Sequence, residues 1–82
     1  MDHHIDRFIQ ELTRMRRSPA TIRCRKQVLG QWARFLDDRH MTLLDAQRDD
    51  VLDFLAQYHE PETVGTYRGA LSVFYEWAVD EA

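Results

Sequence analysis

Both prolines of this 82-residue chain, Pro19 and Pro61, stand directly behind a residue able to cap a helix, and each opens a long run of three- and four-residue apolar spacing. Proline is tolerated in the first turn of a helix, where no amide bond is lost, and is costly deeper inside. With only two prolines and three glycines, the chain has room for long helices and for little else. No stretch of useful length alternates with period two, so no strand is expected. The periodicity predicts four helices. The first spans roughly Asp2 to Met15, with Ile5, Phe8, Ile9, Leu12 and Met15 on one face and Asp2 and Asp6 at its positive end. Ser18 caps the second, which ends near Asp38 and turns Ile22, Leu29, Trp32, Ala33 and Leu36 inward. Residues 39–47 form a connection that pins Met41, Leu43 and Leu44 to the core. The third helix has Asp49 and Asp50 in its first turn and Val51, Phe54, Leu55 and Tyr58 on one side. Pro61 opens the fourth, whose stripe is Val64, Tyr67, Leu71, Phe74, Tyr75 and Ala78.

The two proline starts also read as a repeat. SPAT, from Ser18 to Thr21, lies 42 positions before EPET, from Glu60 to Thr63. At that offset Ile22 falls on Val64, Leu29 on Leu71, Trp32 on Phe74, Phe35 on Trp77 and Leu36 on Ala78. Apolar stripes of equal length align passably by themselves, but matching proline and threonine at both starts point to two related helical hairpins. Two such units cannot form a solenoid, so they must pack on each other. The expected fold is all-α, a compact bundle of four main helices built as two helical hairpins.

Eighty-two residues make one domain, 1–82, too small for an elaborate enzyme with its own substrate pocket. Apolar residues at 44% and charged residues at 30% fit a soluble, folded binding module. No apolar run approaches the roughly 18 residues of a membrane span, and the start MDHHIDRF has neither the basic end nor the apolar stretch of a signal peptide. A cytoplasmic protein without membrane contact is expected. Cys24 is the single cysteine, so it forms no internal disulfide and reads as a small packing residue. His3 and His4 are neighbours that point in different directions on a helix, so no metal site and no cofactor are expected.

Net charge is −3, which by itself argues against a nucleic-acid partner. Position reverses that inference locally. Between Leu12 and Leu36 lie seven cations, Arg14, Arg16, Arg17, Arg23, Arg25, Lys26 and Arg34, and no acid. All 14 acids lie elsewhere. At a hundred degrees per residue, Arg23, Lys26, Gln27, Gly30 and Arg34 form a row opposite the second helix's apolar stripe. A charged solvent face is the ordinary reading of such a row. Here no acid is interleaved to neutralise it, and Arg16 and Arg17 precede a helix start, where backbone amides attract phosphate. The equivalent face of the fourth helix reads Gly65, Arg68, Gly69, Ser72 and Glu76. Its two helical glycines cost about 1 kcal/mol each relative to alanine, which suggests close approach by another helix or by a nucleic-acid backbone.

SPATIRCRKQVLGQWARFL, LLDAQRDDVLDFL and PETVGTYRGALSVFYEWA together resemble the amino-terminal core-binding domain of tyrosine recombinases, the phage integrase family. The pattern is a threonine near the start of helix two with leucine and aromatic positions after it, an aspartate-valine start to helix three, and a threonine-tyrosine-leucine-aromatic helix four. It covers essentially the whole chain. Two departures stand out: Arg25 replaces a frequent aromatic, and Gln47 stands where threonine or serine usually caps helix three. The resemblance implies a SAM-like module that forms half of a clamp around double-stranded DNA at the core recombination site, with helices two and four meeting the groove and its flanking backbone. It implies DNA-binding roles for Arg16, Arg17, Ser18, Thr21, Arg23, Arg25, Lys26 and Gln27, and for Thr63, Gly65, Thr66, Arg68, Gly69 and Ser72. Most would bind phosphate, with Lys26, Gln27 and Arg68 as candidates for base edges. Other recombinase protomers in a synaptic complex would be partners, and the domain alone would be monomeric.

In the family, basic groups around the scissile phosphate and a tyrosine nucleophile sit on a separate carboxy-terminal domain, expected here downstream of residue 82. His4 and Arg7 happen to share the family's histidine–arginine spacing, yet they lie on the first helix without a second histidine or tyrosine constellation. Tyr58, Tyr67 and Tyr75 fall on apolar stripes and read as core. No catalytic residue is expected in this chain. The alternative, from a different class, is a helical protein-protein interaction module that docks another helix on the Gly65 and Gly69 face.

Overall fold

The structure, a computed structural model, describes residues 3–81, and every regular element among them is helical. Helix α1, His3–Arg14, buries Ile5, Phe8 and Leu12, with Asp6 in its first turn and Arg14 in its last, as the helix dipole favours. Asp2, placed at this helix's start by the periodicity, lies outside the described residues. The helix stops one residue before the expected end. Arg16 takes a left-handed φ of 59°, its N–H bonds the Thr13 carbonyl at 3.0 Å, and Arg17 N–H bonds the Leu12 carbonyl at 3.1 Å. These two bonds form a Schellman closure that turns the chain away, leaving Met15 52% exposed instead of on the stripe.

Ser18 then takes an extended conformation and caps α2, Pro19–Asp38, its Oγ accepting from Thr21 N–H at 3.2 Å. Val28, Leu29, Trp32 and Leu36 are buried along α2. A second Schellman closure ends it: His40 has φ 59°, its N–H bonds the Asp37 carbonyl, and Met41 N–H bonds the Leu36 carbonyl at 2.9 Å. The connection that follows does not bury all three of its expected apolar residues. Thr42 and Asp45 close a turn, with Asp45 N–H on the Thr42 carbonyl and Thr42 Oγ1 donating to Asp45 Oδ2 at 2.8 Å. Leu43 and Leu44 are the two central residues of this turn, and only one can face inward. Leu43 does, at 3% exposure, whereas Leu44 is 61% exposed.

Helix α3 is short, Arg48–Leu55, and buries Phe54 and Leu55. Gln47 precedes it without a serine or threonine cap, and the Asp50 carboxylate compensates by accepting from Gln47 N–H at 2.9 Å. Tyr58 lies beyond the helix end, held by its N–H on the Leu55 carbonyl, and is half-buried. Helix α4, Pro61–Glu81, begins with Val64 N–H on the Glu60 carbonyl at 3.0 Å, the same bond that Ile22 makes to Ser18 at the start of α2. Ala70, Leu71, Phe74 and Ala78 are its buried residues.

Helix α4 is central, packing against α1, α2 and α3, while α1 also packs on α2. The radius of gyration is 12.3 Å, close to the roughly 12 Å of a compact chain this long. Phe54 is the hub of the α3 side, edge-on to Trp32 at 5.1 Å, Phe35 at 5.4 Å and Tyr58 at 5.5 Å. Phe8 serves the α1 side, 5.4 Å from both Phe74 and Trp77. The repeat holds in the core: Leu29 and Leu71, Trp32 and Phe74, and Leu36 and Ala78 are buried as pairs. Val28 and Ala70, absent from the expected stripes, form a fourth fully buried pair at the same offset.

Candidate nucleic-acid interface

Burying Val28, Leu29, Trp32 and Leu36 on one side of α2 forces the opposite side outward. Arg23, Lys26, Gln27 and Arg34 are exposed there, and Gly30 is half-exposed. Among the described residues, Arg14 pairs with Glu11 at 2.6 Å, and Arg39 reaches Asp50 and Asp53 while lying 4.4 Å over the Phe35 ring. No described carboxylate lies in ion-pair range of Arg23, Lys26 or Arg34. The helix row thus keeps its full positive field toward solvent, the property that draws phosphate.

The start of α2 contributes charge more than amides. Pro19 has no N–H, Thr21 N–H is taken by Ser18 Oγ, and Ile22 N–H makes the first helical bond, which leaves the Ala20 amide to face an anion. Ser18 Oγ donates to Thr21 Oγ1 at 2.9 Å, so the Thr21 hydroxyl retains its own proton to donate. Arg16 and Arg17, both exposed, stand just before this cap. Arg25 is placed differently from the other cations. It lies one turn before Leu29 and two before Trp32, on the inward side, and is half-buried. Its counterpart at the 42-residue offset is Tyr67, a partly buried aromatic packed against the core, so Arg25 stands at the position where the resemblance anticipates a ring.

On α4, Gly65, Thr66, Arg68 and Ser72 are exposed, Gly69 is half-exposed, and Thr63 is half-buried like Thr21. A Cβ placed on Gly30, Gly65 or Gly69 would meet nothing within 4 Å. Internal packing therefore does not require glycine at any of the three. The outward faces of α2 and α4 consequently carry small, polar and cationic groups that no contact inside the domain explains. A cleft of about 600 Å³ opens beside this row, lined by Gly30, Ala33, Arg34, Leu36, Asp37, Met41, Thr42 and Leu43. Helical periodicity gave no sign of it, because its far wall is the irregular connection after α2.

The tyrosines are committed to packing. Tyr75 OH accepts from Trp32 Nε1 at 2.9 Å and donates to the Leu43 carbonyl at 2.8 Å, and Tyr58 OH donates to Gln31 Oε1 at 2.6 Å. Burial first, and the neighbouring Tyr67 phenol second, raise the Tyr58 hydroxyl above its ordinary 10.0. That direction opposes phenolate formation. Tyr67 packs edge-on to Tyr58 at 4.8 Å. Arg7 lines a second cleft with Gln10, Glu11, Arg14 and Trp77, and His4 is half-buried on the same helix. The His3 and His4 rings are 6.1 Å apart at 58°. Among the described residues no three histidine, cysteine or acidic side chains converge to hold a metal ion, and no helix is long and apolar enough to cross a membrane.

No curated protein and no solved structure matches the chain. A family model does, described as the phage integrase N-terminal SAM-like domain, and its match runs over residues 5–82. Four helices with repeated proline starts, an aromatic core and a match over nearly the full length agree: this chain belongs to the family of phage integrase N-terminal SAM-like domains.

Proposed function

We propose that this domain binds double-stranded DNA at the core recombination site, as half of a clamp whose catalytic half is a separate domain of a tyrosine recombinase. The unpaired, uninterrupted cationic row on the outward face of α2 carries the reading. Arg16, Arg17 and Arg23 bind phosphate and set register, with Thr21, Thr63, Thr66 and Ser72 as hydroxyl donors, while Ser18, whose proton goes to Thr21 Oγ1, holds the Thr21 hydroxyl in place. Lys26, Gln27 and Arg68 reach base edges, and Gly65 and Gly69 let the backbone of the duplex come close to α4. Arg25, half-buried beside the apolar stripe, adds a phosphate contact from outside the row. Strand cleavage belongs to the other domain, so the chain alone binds without cutting. The setting is the bacterial cytoplasm, with further recombinase protomers as partners in the synaptic complex.

The test is the salt dependence of binding to a duplex. Affinity falls steeply as salt rises, and Arg23→Ala and Lys26→Ala each reduce the slope of log K against log salt by about one. A flat salt response removes the electrostatic argument, and NMR shifts confined to α3 place the contact on the wrong side. The same glycine face also suits a partner helix; a concentration-dependent oligomer without salt-sensitive DNA binding would favour that role.

A further inference from the structure

Helices α2 and α4 start alike and diverge along their outward faces. On α2 the row runs Arg23, Lys26, Gln27, Gly30 and Arg34, and turns acidic only at Asp37. On α4 the positions facing outward are Gly65, Arg68, Gly69, Ser72 and then Glu76, with Asp80 one turn further. Arg34 and Glu76 occupy the same place in the repeat, 42 positions apart, with opposite charge. Both are exposed, and no described carboxylate lies in ion-pair range of Arg34. Gly30, one turn before Arg34, has open space at its Cβ, and the two residues border the 600 Å³ cleft whose far wall is the connection after α2.

We propose that the two helices meet DNA over unequal lengths: the phosphate backbone follows α2 as far as Arg34 and leaves α4 before Glu76, which makes Arg34 a further phosphate-binding residue. The proposal rests on the reading that these two faces bind duplex DNA. From Arg23 to Arg34 the helix axis advances about 16 Å, and from Gly65 to Ser72 about 10 Å. A carboxylate at the distance where Arg34 meets phosphate would repel it, and Asp80 extends that repulsion along α4. The guanidinium of Arg34 can instead take two phosphate oxygens at once.

A charge swap tests this, with the double substitution keeping the net charge of the wild type. Duplex binding is measured against salt by fluorescence anisotropy for the wild-type chain, Arg34→Glu, Glu76→Arg and the double substitution. Arg34→Glu lowers the salt slope by about one, Glu76→Arg leaves it unchanged, and the double variant behaves as Arg34→Glu alone. Wild-type binding by the double variant would show that the two positions are equivalent and overturn the unequal footprint, as would an unchanged slope in Arg34→Glu. Arg34→Gln, which removes the charge without reversing it, gives the same loss of slope if the contact is real and none if it is not; circular dichroism melting confirms that each variant is folded. Wild-type binding indifferent to salt overturns the DNA reading itself, a result distinct from any failure of the swap.

Discussion

Tyr75 links two elements by hydrogen bonds, its hydroxyl accepting from the Trp32 indole N–H on α2 and donating to the Leu43 carbonyl in the connection. Tyr75→Phe separates that donor from that acceptor and is expected to cost about 1–3 kcal/mol, read as a shift in the urea midpoint. Two other residues are strained rather than satisfied. Arg16 and His40 both hold φ at 59°, where a side chain crowds the following carbonyl and glycine does not. His40→Gly is expected to stabilise by about 0.5–1 kcal/mol in the same assay. Arg16→Gly should raise stability likewise while reducing the salt slope of DNA binding, because it removes a cation as well as the strain. These closures were not legible in the sequence: glycine is the usual marker of a left-handed helix end, and arginine and histidine stand in its place. Leu44 was misplaced for a related reason, since apolar character alone does not say which central residue of a turn faces inward.

The helices themselves were largely legible, because proline and serine fix their starts and the apolar spacing fixes their inner faces. Their widths were not. Helices α2 and α4 each pack against more than one neighbour, so burial spreads past a single stripe and takes in Val28 and Ala70. The end of α3 was overshot because Tyr58 continues the apolar spacing after the helical bonds have stopped. The outward faces follow directly from the inner ones, which is why the cationic row and the glycine face are legible in the sequence. Arg25 differs from the other cations of α2, since the same wheel sets it beside the apolar stripe and the structure leaves it half-buried there. The glycines give a prediction specific to α4. Gly65→Ala and Gly69→Ala should each stabilise the domain by up to about 1 kcal/mol, since a Cβ there meets nothing within 4 Å. Both should weaken duplex binding. A stabilised variant with undiminished affinity would remove close approach as the reason for glycine.

At the scale of the molecule, seven cations between Leu12 and Leu36 face a remainder that holds all 14 acids. Net charge conceals this division, and only the order of residues along the chain reveals it. A ligand that binds the folded domain alone raises its melting temperature by mass action. Duplex at ten times its dissociation constant adds about 1.4 kcal/mol, or about 6–11 °C for a domain of this size. Differential scanning fluorimetry should show that rise at low salt and its disappearance at high salt. The cleft beside Arg34 was invisible at every earlier level because a helix and an irregular turn build it jointly. The open space around Gly30, Gly65 and Gly69 has a further consequence, for retargeting. Positions on these outward rows are almost uncoupled from the core, so a combinatorial library randomised at 23, 26, 27, 30, 65, 68, 69 and 72 should consist mostly of folded members. Selection among them would then act on sequence preference alone, with the scaffold held constant beneath it.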